Sequence, residues 1–432
     1  MTLLVALSYV LNISIILAIT YFLYNKAKGD VLARYFLPGL LFKFAAGISL
    51  GLIYKFYYHF GDTYAFQEGA SILTDVAYSN PIQYLKIVLL NDIPKEASEI
   101  FALERQPRVF FITKLLSMAG IITYKNYWLS GLYFSYFSYV GMYYLANTLA
   151  TYFPSKKRIA GIAFLLFPSV VFWSAGVSKE SIVMGSLCFI VGFSIPFLTE
   201  EKKIWLPKVL LMTLFFWLLL KLKYYYVGVL IPVMAANFIV AALRFKFKSI
   251  QKNYFTHLGT WLVVFFLLLY LATNIHPNLS TKNFFKSVVE THNLIYEKSN
   301  LEDLITYNKL EPNVKSFVSN IPWALFSGLY RPTFLDAKSK LQYWVAFENL
   351  VLMLLTIGAL TRLFKITKYP HKILMFSAMV YIIILAIFMA LSSPNFGTLV
   401  RYKIGFLPFF IFLISINNPI IDFLKKRMKL PI

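Results

Sequence analysis

Four short stretches of this 432-residue chain carry side chains suited to handling a phosphorylated substrate. The first, HFGDTYAFQEGASILTD from His59 to Asp75, sets one carboxylate, Asp62, directly after a glycine. A carboxylate there can take a proton from an attacking hydroxyl, or it can simply be the N-cap of a helix over 63–75. His59, Tyr64 and Glu68 flank it and are candidate substrate contacts. The second stretch, Phe167 to Ser181, ends in Ser178-Lys179-Glu180-Ser181, a cation and an anion between two hydroxyls. Lys179 can meet a lipid phosphate, or Lys179 and Glu180 form a solvated turn. The third, GLYRPTF from Gly328 to Phe334, presents Arg331, followed by Asp336 and, further on, Glu348. A guanidinium grips phosphate through two bonds at once, which an ammonium does not; the alternative is an arginine snorkelling at an interface. The fourth, SSPNFGTLVRYK from Ser392 to Lys403, places Arg401, Tyr402 and Lys403 after Pro394 and Gly397. Arg401 there calls for a phosphate or carboxylate partner.

Other chemistries have no such support. The chain holds no P-loop, no HExxH and no Gly-rich dinucleotide fingerprint. His59, His257, His276, His292 and His371 show no metal-binding spacing, and Asn278-Leu279-Ser280 matches a sequon too common to weigh. One cysteine, Cys188, excludes an intramolecular disulfide framework and a multi-cysteine metal site.

The elements that must position these residues are set by composition. Hydrophobic residues make up 59 % of the chain and charged ones only 14 %, against about 25 % charged in a soluble domain. Mean hydropathy is +0.66. A water-soluble enzyme, a disordered chain and a fibrous repeat are poor fits. Apolar runs over 3–24, 35–57, 127–152, 159–174, 182–199, 206–222, 224–243, 255–273, 342–363, 373–391 and 402–418 predict eleven spans. Each is expected to be helical, because hydrocarbon offers unpaired backbone groups no partner. The first, Leu3 to Tyr24, lacks a basic leader and reads as a retained helix rather than a cleaved signal. Ionisable residues near helix interiors are few (Lys43, Lys221, Lys223 and Glu348), and most can snorkel.

Charge sets the expected orientation. Basic residues cluster at Lys26/Lys28/Arg34, Lys156–Arg158, Lys202/Lys203/Lys208, Arg244/Lys246/Lys248/Lys252, Arg362/Lys365/Lys368/Lys372 and Lys425–Arg427/Lys429. With eleven spans all six fall on one side, which the positive-inside rule makes cytoplasmic. The N-terminus is then outside, the C-terminus inside, and the protein is multi-pass in an inner or plasma cell membrane. Asp62, Glu68, Asp75, Asp92, Glu96, Glu99 and Glu104 fall in the outer segment 58–126, and five more acids in 274–341. The net charge of +23 is therefore a topology signal plus attraction to anionic headgroups, with no call for nucleic acid. The expected fold is all-α: a polytopic transmembrane helical bundle forming one domain over 1–432. The outer segments 58–126 and 274–341 cap its cleft. Residues 109–124 and 321–335, the latter broken by Pro322, Gly328 and Pro332, read as outer-side juxtamembrane helices that do not span.

The order of features resembles the GT-C superfamily of integral-membrane glycosyltransferases, which use polyprenyl-phosphate-linked sugars. Asp62, the apolar 109–124 segment, the span 127–152 and Lys156–Arg158 follow that family's order of acidic outer loop, juxtamembrane helix and returning span. The run GIAFLLFPSVVFWSAGVSKESIVMG resembles its paired helices meeting at an outer turn after a proline, and the likeness covers residues 35–245. It implies a lipid-linked sugar donor, a glycan, lipid or protein acceptor, and contact with membrane lipids. Asp62 would then activate or orient the acceptor, with Arg331, Arg401 and Lys179 on the phosphate. Many members carry two neighbouring acids, whereas here Glu68 is the next after Asp62; a divalent metal therefore stays open. Two alternatives stand beside this one: an envelope polysaccharide polymerase or ligase, and a flippase or transporter of lipid-linked glycans. The enzyme reading expects the four stretches to gather around one outward-facing cavity with a lipid-sized side opening.

Overall fold

A computed structural model describes residues 3–59, 61–94, 106–200, 205–247, 253–275, 281–362 and 371–427. Glu96, Glu99, Glu104, Lys202, Lys203, Lys248, Lys252, His276, the sequon at 278–280, Lys365, Lys368 and Lys429 lie outside the described residues. Among those described, the chain is helical with connecting turns, and one isolated β-bridge joins Leu304 to Asn395.

The helices are α1 (Leu3–Ala27), α2 (Phe36–Phe56), α3 (Asp62–Ser79), α4 (Pro81–Leu85), α5 (Pro107–Thr123) and α6 (Tyr127–Tyr152). Then follow α7 (Lys157–Gly161), α8 (Pro168–Trp173), α9 (Lys179–Glu200), α10 (Leu206–Lys246), α11 (Tyr254–Ile275) and α12 (Thr281–Glu297). The last are α13 (Val314–Tyr330), α14 (Lys340–Leu360), α15 (Lys372–Ser392), α16 (Phe396–Tyr402), α17 (Leu407–Ser415) and α18 (Pro419–Arg427). Among the described residues seven are long and apolar enough to cross a membrane: α1, α2, α9, α10, α11, α14 and α15. An eighth arises if Phe396–Gly405 and Leu407–Ser415, bent by 66°, make one span.

Where the eleven predicted runs differ from this, the reason is local. Residues 127–152 form one helix, but its many tyrosines and serines hold its apolarity below that of the seven. The run 159–174 divides into α7, a π-turn over Ile162–Leu166 and α8. Pro168 has no N–H to continue the ladder, and it biases the preceding Phe167 to extended geometry (ψ 121°). The runs 206–222 and 224–243 meet without a loop, at one non-helical residue, Lys223 (φ −142°, ψ 65°), inside α10. Helix starts follow their capping chemistry: Asn126, Asn313 and Asn395 accept the first-turn N–H of Leu129, Ser316 and Thr398. Ser339 and Gln342 form a reciprocal capping box on α14.

The chain forms two compact units. The first comprises Met1–Ile195 and Ile204–Tyr224. Within it α2, α6, α8 and α9 pack closely through glycines: Gly141 faces the backbone of Gly185, and a Cβ on Gly47 would sit 2.6 Å from Ser135 Oγ. Helices α3, α4 and α5 form a layer in which α5, which covers most of the 109–124 segment, lies along α3. A Cβ on Gly120 would approach Thr74 Oγ1 to 2.6 Å, and Leu73, Ala77, Tyr84, Ile87 and Phe110 fill the contact. The basic segments 26–34 and 156–158 share one end of this unit: Leu32 N–H donates to Asn147 Oδ1 (3.2 Å), and Gly161 packs against Tyr35.

The second unit comprises Pro196–Lys203 and Tyr225–Ile432. Here α13 crosses α15 where Gly328 meets the backbone of Ala386. The 321–335 reading needs correction: Pro322 and Gly328 lie inside α13, which ends only at Arg331, ahead of Pro332. Helix α12 packs through Phe284 on Phe388 and Phe285 on Phe317.

Candidate functional site

In the first unit, α2 ends at Phe56 and the chain turns through His59, which is exposed and left-handed (φ 60°). Helix α3 begins at Asp62, one residue earlier than expected, so Gly61 rather than Asp62 holds the N-cap position. The capping alternative for Asp62 is therefore corrected. Its carboxylate is exposed in the first turn, where the helix's positive end favours an anion. Glu68 is exposed as well. Tyr64 has a tethering place: its ring stacks on Tyr127 (4.4 Å, 7°), and its hydroxyl donates to the Gly51 carbonyl at 3.2 Å.

The second stretch meets the first. Ser174 to Ser181 is not a solvated turn. Ser174, Ala175, Gly176, Val177, Ser178, Glu180 and Ser181 are all buried, and only Lys179 is half-exposed. Gly176 is left-handed (φ 65°) and donates its N–H to Ser135 Oγ at 2.8 Å. Ser181 Oγ donates to the Gly176 carbonyl and bonds Ser178 Oγ, each at 2.8 Å. This fixed loop carries Lys179 Nζ over the Phe66 ring, 4.8 Å from its centroid. Phe66 lies one turn beyond Asp62 on the same face of α3. The adjacent Glu180 turns inward and pairs with Lys223 Nζ at 2.9 Å, both essentially sealed from solvent. Lys223 therefore does not snorkel; it sits at the break in α10. Neither does Lys43, 1 % exposed, whose ammonium donates to Ser174 Oγ and to the Val171 carbonyl at the end of α8.

In the second unit the third and fourth stretches meet. Arg331 makes a two-bond fork with Asp336 (Nε–Oδ2 3.0 Å, Nη2–Oδ1 2.5 Å). Its guanidinium lies over both Trp323 and Phe396, 4.9 Å from each ring centroid. Asp336 also accepts from the Thr333 N–H and hydroxyl, both at 2.8 Å. Burial alone would raise the Asp336 pKa, but the Arg331 and Thr333 bonds outweigh it and hold the carboxyl below its ordinary value. Lys403, 2 % exposed, donates to the carbonyls of Arg331 (2.7 Å) and Leu329 (3.3 Å) at the end of α13. Glu348, buried on α14, acts on it electrostatically. Tyr402 is held through its carbonyl, which accepts from Tyr226 Oη at 2.5 Å, and Arg401 is half-buried on α16.

The stretch 304–307 completes this cluster. Ile305 N–H donates to the Pro394 carbonyl (2.6 Å), which carries Tyr307 to the neighbourhood of Arg331 and Ser327. Burial raises the Tyr307 pKa, with Arg331 and Ser327 opposing. His292, 7 % exposed, bonds the Leu391 carbonyl through Nδ1 (2.8 Å), and burial lowers its pKa against that bond. Sequence reading missed Tyr307 and set His292 aside with the other scattered histidines, because nothing local marks residues that a distant strand-like contact brings in. Asp336 was visible five residues from Arg331, but its bonds to Thr333 emerge only from the structure.

Among the described residues no three His, Cys, Asp or Glu side chains gather as a metal site. No family model, no curated protein and no solved structure matches the chain.

Proposed function

We propose that the protein is a membrane glycosyltransferase that moves a sugar from a polyprenyl phosphate to an acceptor hydroxyl. In this reading the acceptor oxygen attacks the anomeric carbon, and the bond from that carbon to the phosphate oxygen breaks. Asp62 takes the hydroxyl proton, and polyprenyl phosphate leaves with the bonding pair. Lys179 offsets the charge that develops on the phosphate. The N-terminus outside, the C-terminus inside and the reacting groups on the outer side complete the reading.

The observation that carries it is the meeting of the first two stretches: a buried loop holds Lys179 on the face of α3 that Asp62 opens. A carboxylate at Asp62 and a cation held over Phe66, the ring one helical turn along α3, can divide proton transfer from phosphate stabilisation. Two cations take different roles from those expected. Arg331 already gives its fork to Asp336, and Lys403 is held by two carbonyls, so both brace the second unit. The transporter alternative gains buried charges in Lys43, Lys223 and Glu180. These are tied to fixed partners instead of being strung along a path, which favours transfer.

The test is reconstitution of the full chain in liposomes with a polyprenyl phosphate carrying a radiolabelled hexose and a lipid-linked oligosaccharide acceptor. Transfer predicts label in a new glycosidic bond with release of polyprenyl phosphate. Label that crosses the bilayer on an intact donor contradicts it.

A further inference from the structure

A buried cation of the first unit takes no part in the transfer step. Lys43 lies along α2, and its ammonium donates to three neutral acceptors: Ser174 Oγ, the Val171 carbonyl (3.3 Å) and Met142 Sδ of α6 (3.4 Å). Keeping an amine of this kind away from water is costly. An apolar side chain of the same length would pack there without that cost. Departures from local preference of this sort concentrate where an arrangement serves a function.

What Lys43 holds is the end of α8. That helix has six residues, too few to be stable by themselves, and its last carbonyls have no donor within the helix. Lys43 supplies a donor to the Val171 carbonyl and to the Ser174 hydroxyl, which itself donates to the Val170 carbonyl. One turn along the same face of α2, Ala46 packs with Val171 and Ala175. Beside it, a Cβ on Gly47 would come within 3.0 Å of Gly176 N. A further turn on, the Gly51 carbonyl accepts from the Tyr64 hydroxyl of α3. One face of α2, from Lys43 to Gly51 over about 12 Å, therefore holds two elements: the loop that carries Lys179 and the helix that begins at Asp62.

We propose that Lys43 is a positioning residue: it fixes the end of α8 and the start of the 174–181 loop, and so sets where the Lys179 ammonium stands against α3. The hold reaches Lys179 through the loop's own ties, Gly176 N–H to Ser135 Oγ and Ser181 Oγ to the Gly176 carbonyl. Its effect on rate rests on the transfer reading above; its effect on the placing of Lys179 does not.

Two measurements on Lys43→Met, which keeps the length of the side chain and removes its donors, test this. The first is the rate at which sulfosuccinimidyl acetate labels Lys179 in the full chain in neutral detergent, read by mass spectrometry. Labelling should rise by about fivefold or more, as for loss of a bond from a charged donor. Labelling of the exposed Lys86, in the same unit, should change by less than about twofold. The second is sugar transfer per folded molecule in liposomes. Lys43→Met should lower it by about tenfold or more, as for a misplaced reacting group. With Lys179→Met already present the further fall should be less than about twofold, because Lys43 acts through that residue. Should Lys43→Met fail to fold, Ser174→Ala, which removes the acceptor on the loop, carries the same expectations. Lys179 labelled at the wild-type rate, even with a lowered thermal midpoint, makes Lys43 a packing residue and overturns the proposal. An equal fall in transfer with and without Lys179→Met overturns it too. Raised labelling in a chain whose wild type transfers no sugar would sink the glycosyltransferase reading and leave the positioning role standing.

Discussion

Lys179 and Arg331 are both cations laid over aromatic rings, yet their acids are disposed in opposite ways. Arg331, between Trp323 and Phe396, gives its fork to Asp336 five residues on. Lys179 lies over Phe66, while the acid beside it in sequence turns inward to Lys223. In the second unit the cation is neutralised where it stands and braces the turn after α13. In the first, Glu180 is paired with Lys223. Aromatic contact is common to both cations; the placing of the acid nearest in sequence is what differs.

The sharpest way to break this contrast is at Glu180. Glu180→Ala leaves Lys223 buried without its counter-ion and should cost about 3–5 kcal/mol of stability. The thermal midpoint in detergent reads this, and Glu180→Gln/Lys223→Met should recover most of it. A loss near zero in the single variant would mean that Glu180 is not held by Lys223.

The corresponding change in the second unit is smaller. Asp336→Asn weakens the Arg331 fork and should cost about 1.5–3 kcal/mol, the range for bonds to charged groups. Because the folded pKa of Asp336 is lowered, its stabilisation is fully present above its unfolded value of about 4 and is lost as pH falls through the folded value. Thermal midpoints of wild type and Asp336→Asn should therefore converge as pH drops below about 4. A constant gap would show that Arg331 does not depend on an ionised partner.

The smallest effect on stability belongs to Lys179. Lys179→Met should cost no more than about 1 kcal/mol, the value of a partly exposed cation over a ring. Sugar transfer in liposomes should nonetheless fall by about 100-fold or more, as for loss of a group that stabilises developing charge. A stability loss as large as that of Glu180→Ala, with transfer per folded molecule retained, would make Lys179 another brace.

These contrasts also mark what the sequence could and could not reveal. Continuous apolar runs made α1, α2, α11, α14 and α15 visible, since a helix of that length needs nothing but hydropathy to be recognised. The Arg331–Asp336 pair was near at hand because its partners are five residues apart. The partner of Glu180 was not: Lys223 is 43 residues away, and a local reading paired Glu180 with its neighbour Lys179. Lys43 read as a residue able to snorkel, because the carbonyl of Val171 and the hydroxyl of Ser174 that hold it come from the break after Pro168. The same break turned one predicted span into three short pieces. Burial of the Ser174–Ser181 loop was equally hidden, since its serines look polar in sequence but bond one another and the backbone.

The most direct measurement of the central claim is the initial rate of sugar transfer by Asp62→Asn and Asp62→Glu beside wild type, at equal amounts of folded protein in liposomes. If Asp62 accepts the acceptor's proton, Asp62→Asn loses transfer by about 100-fold or more, within the range for general-base removal. Asp62→Glu should regain part of it, and Asp62→Asn should cost no more than about 1 kcal/mol of stability, the value of an anion at a helix N-terminus. Transfer by Asp62→Asn at the wild-type rate would contradict the account.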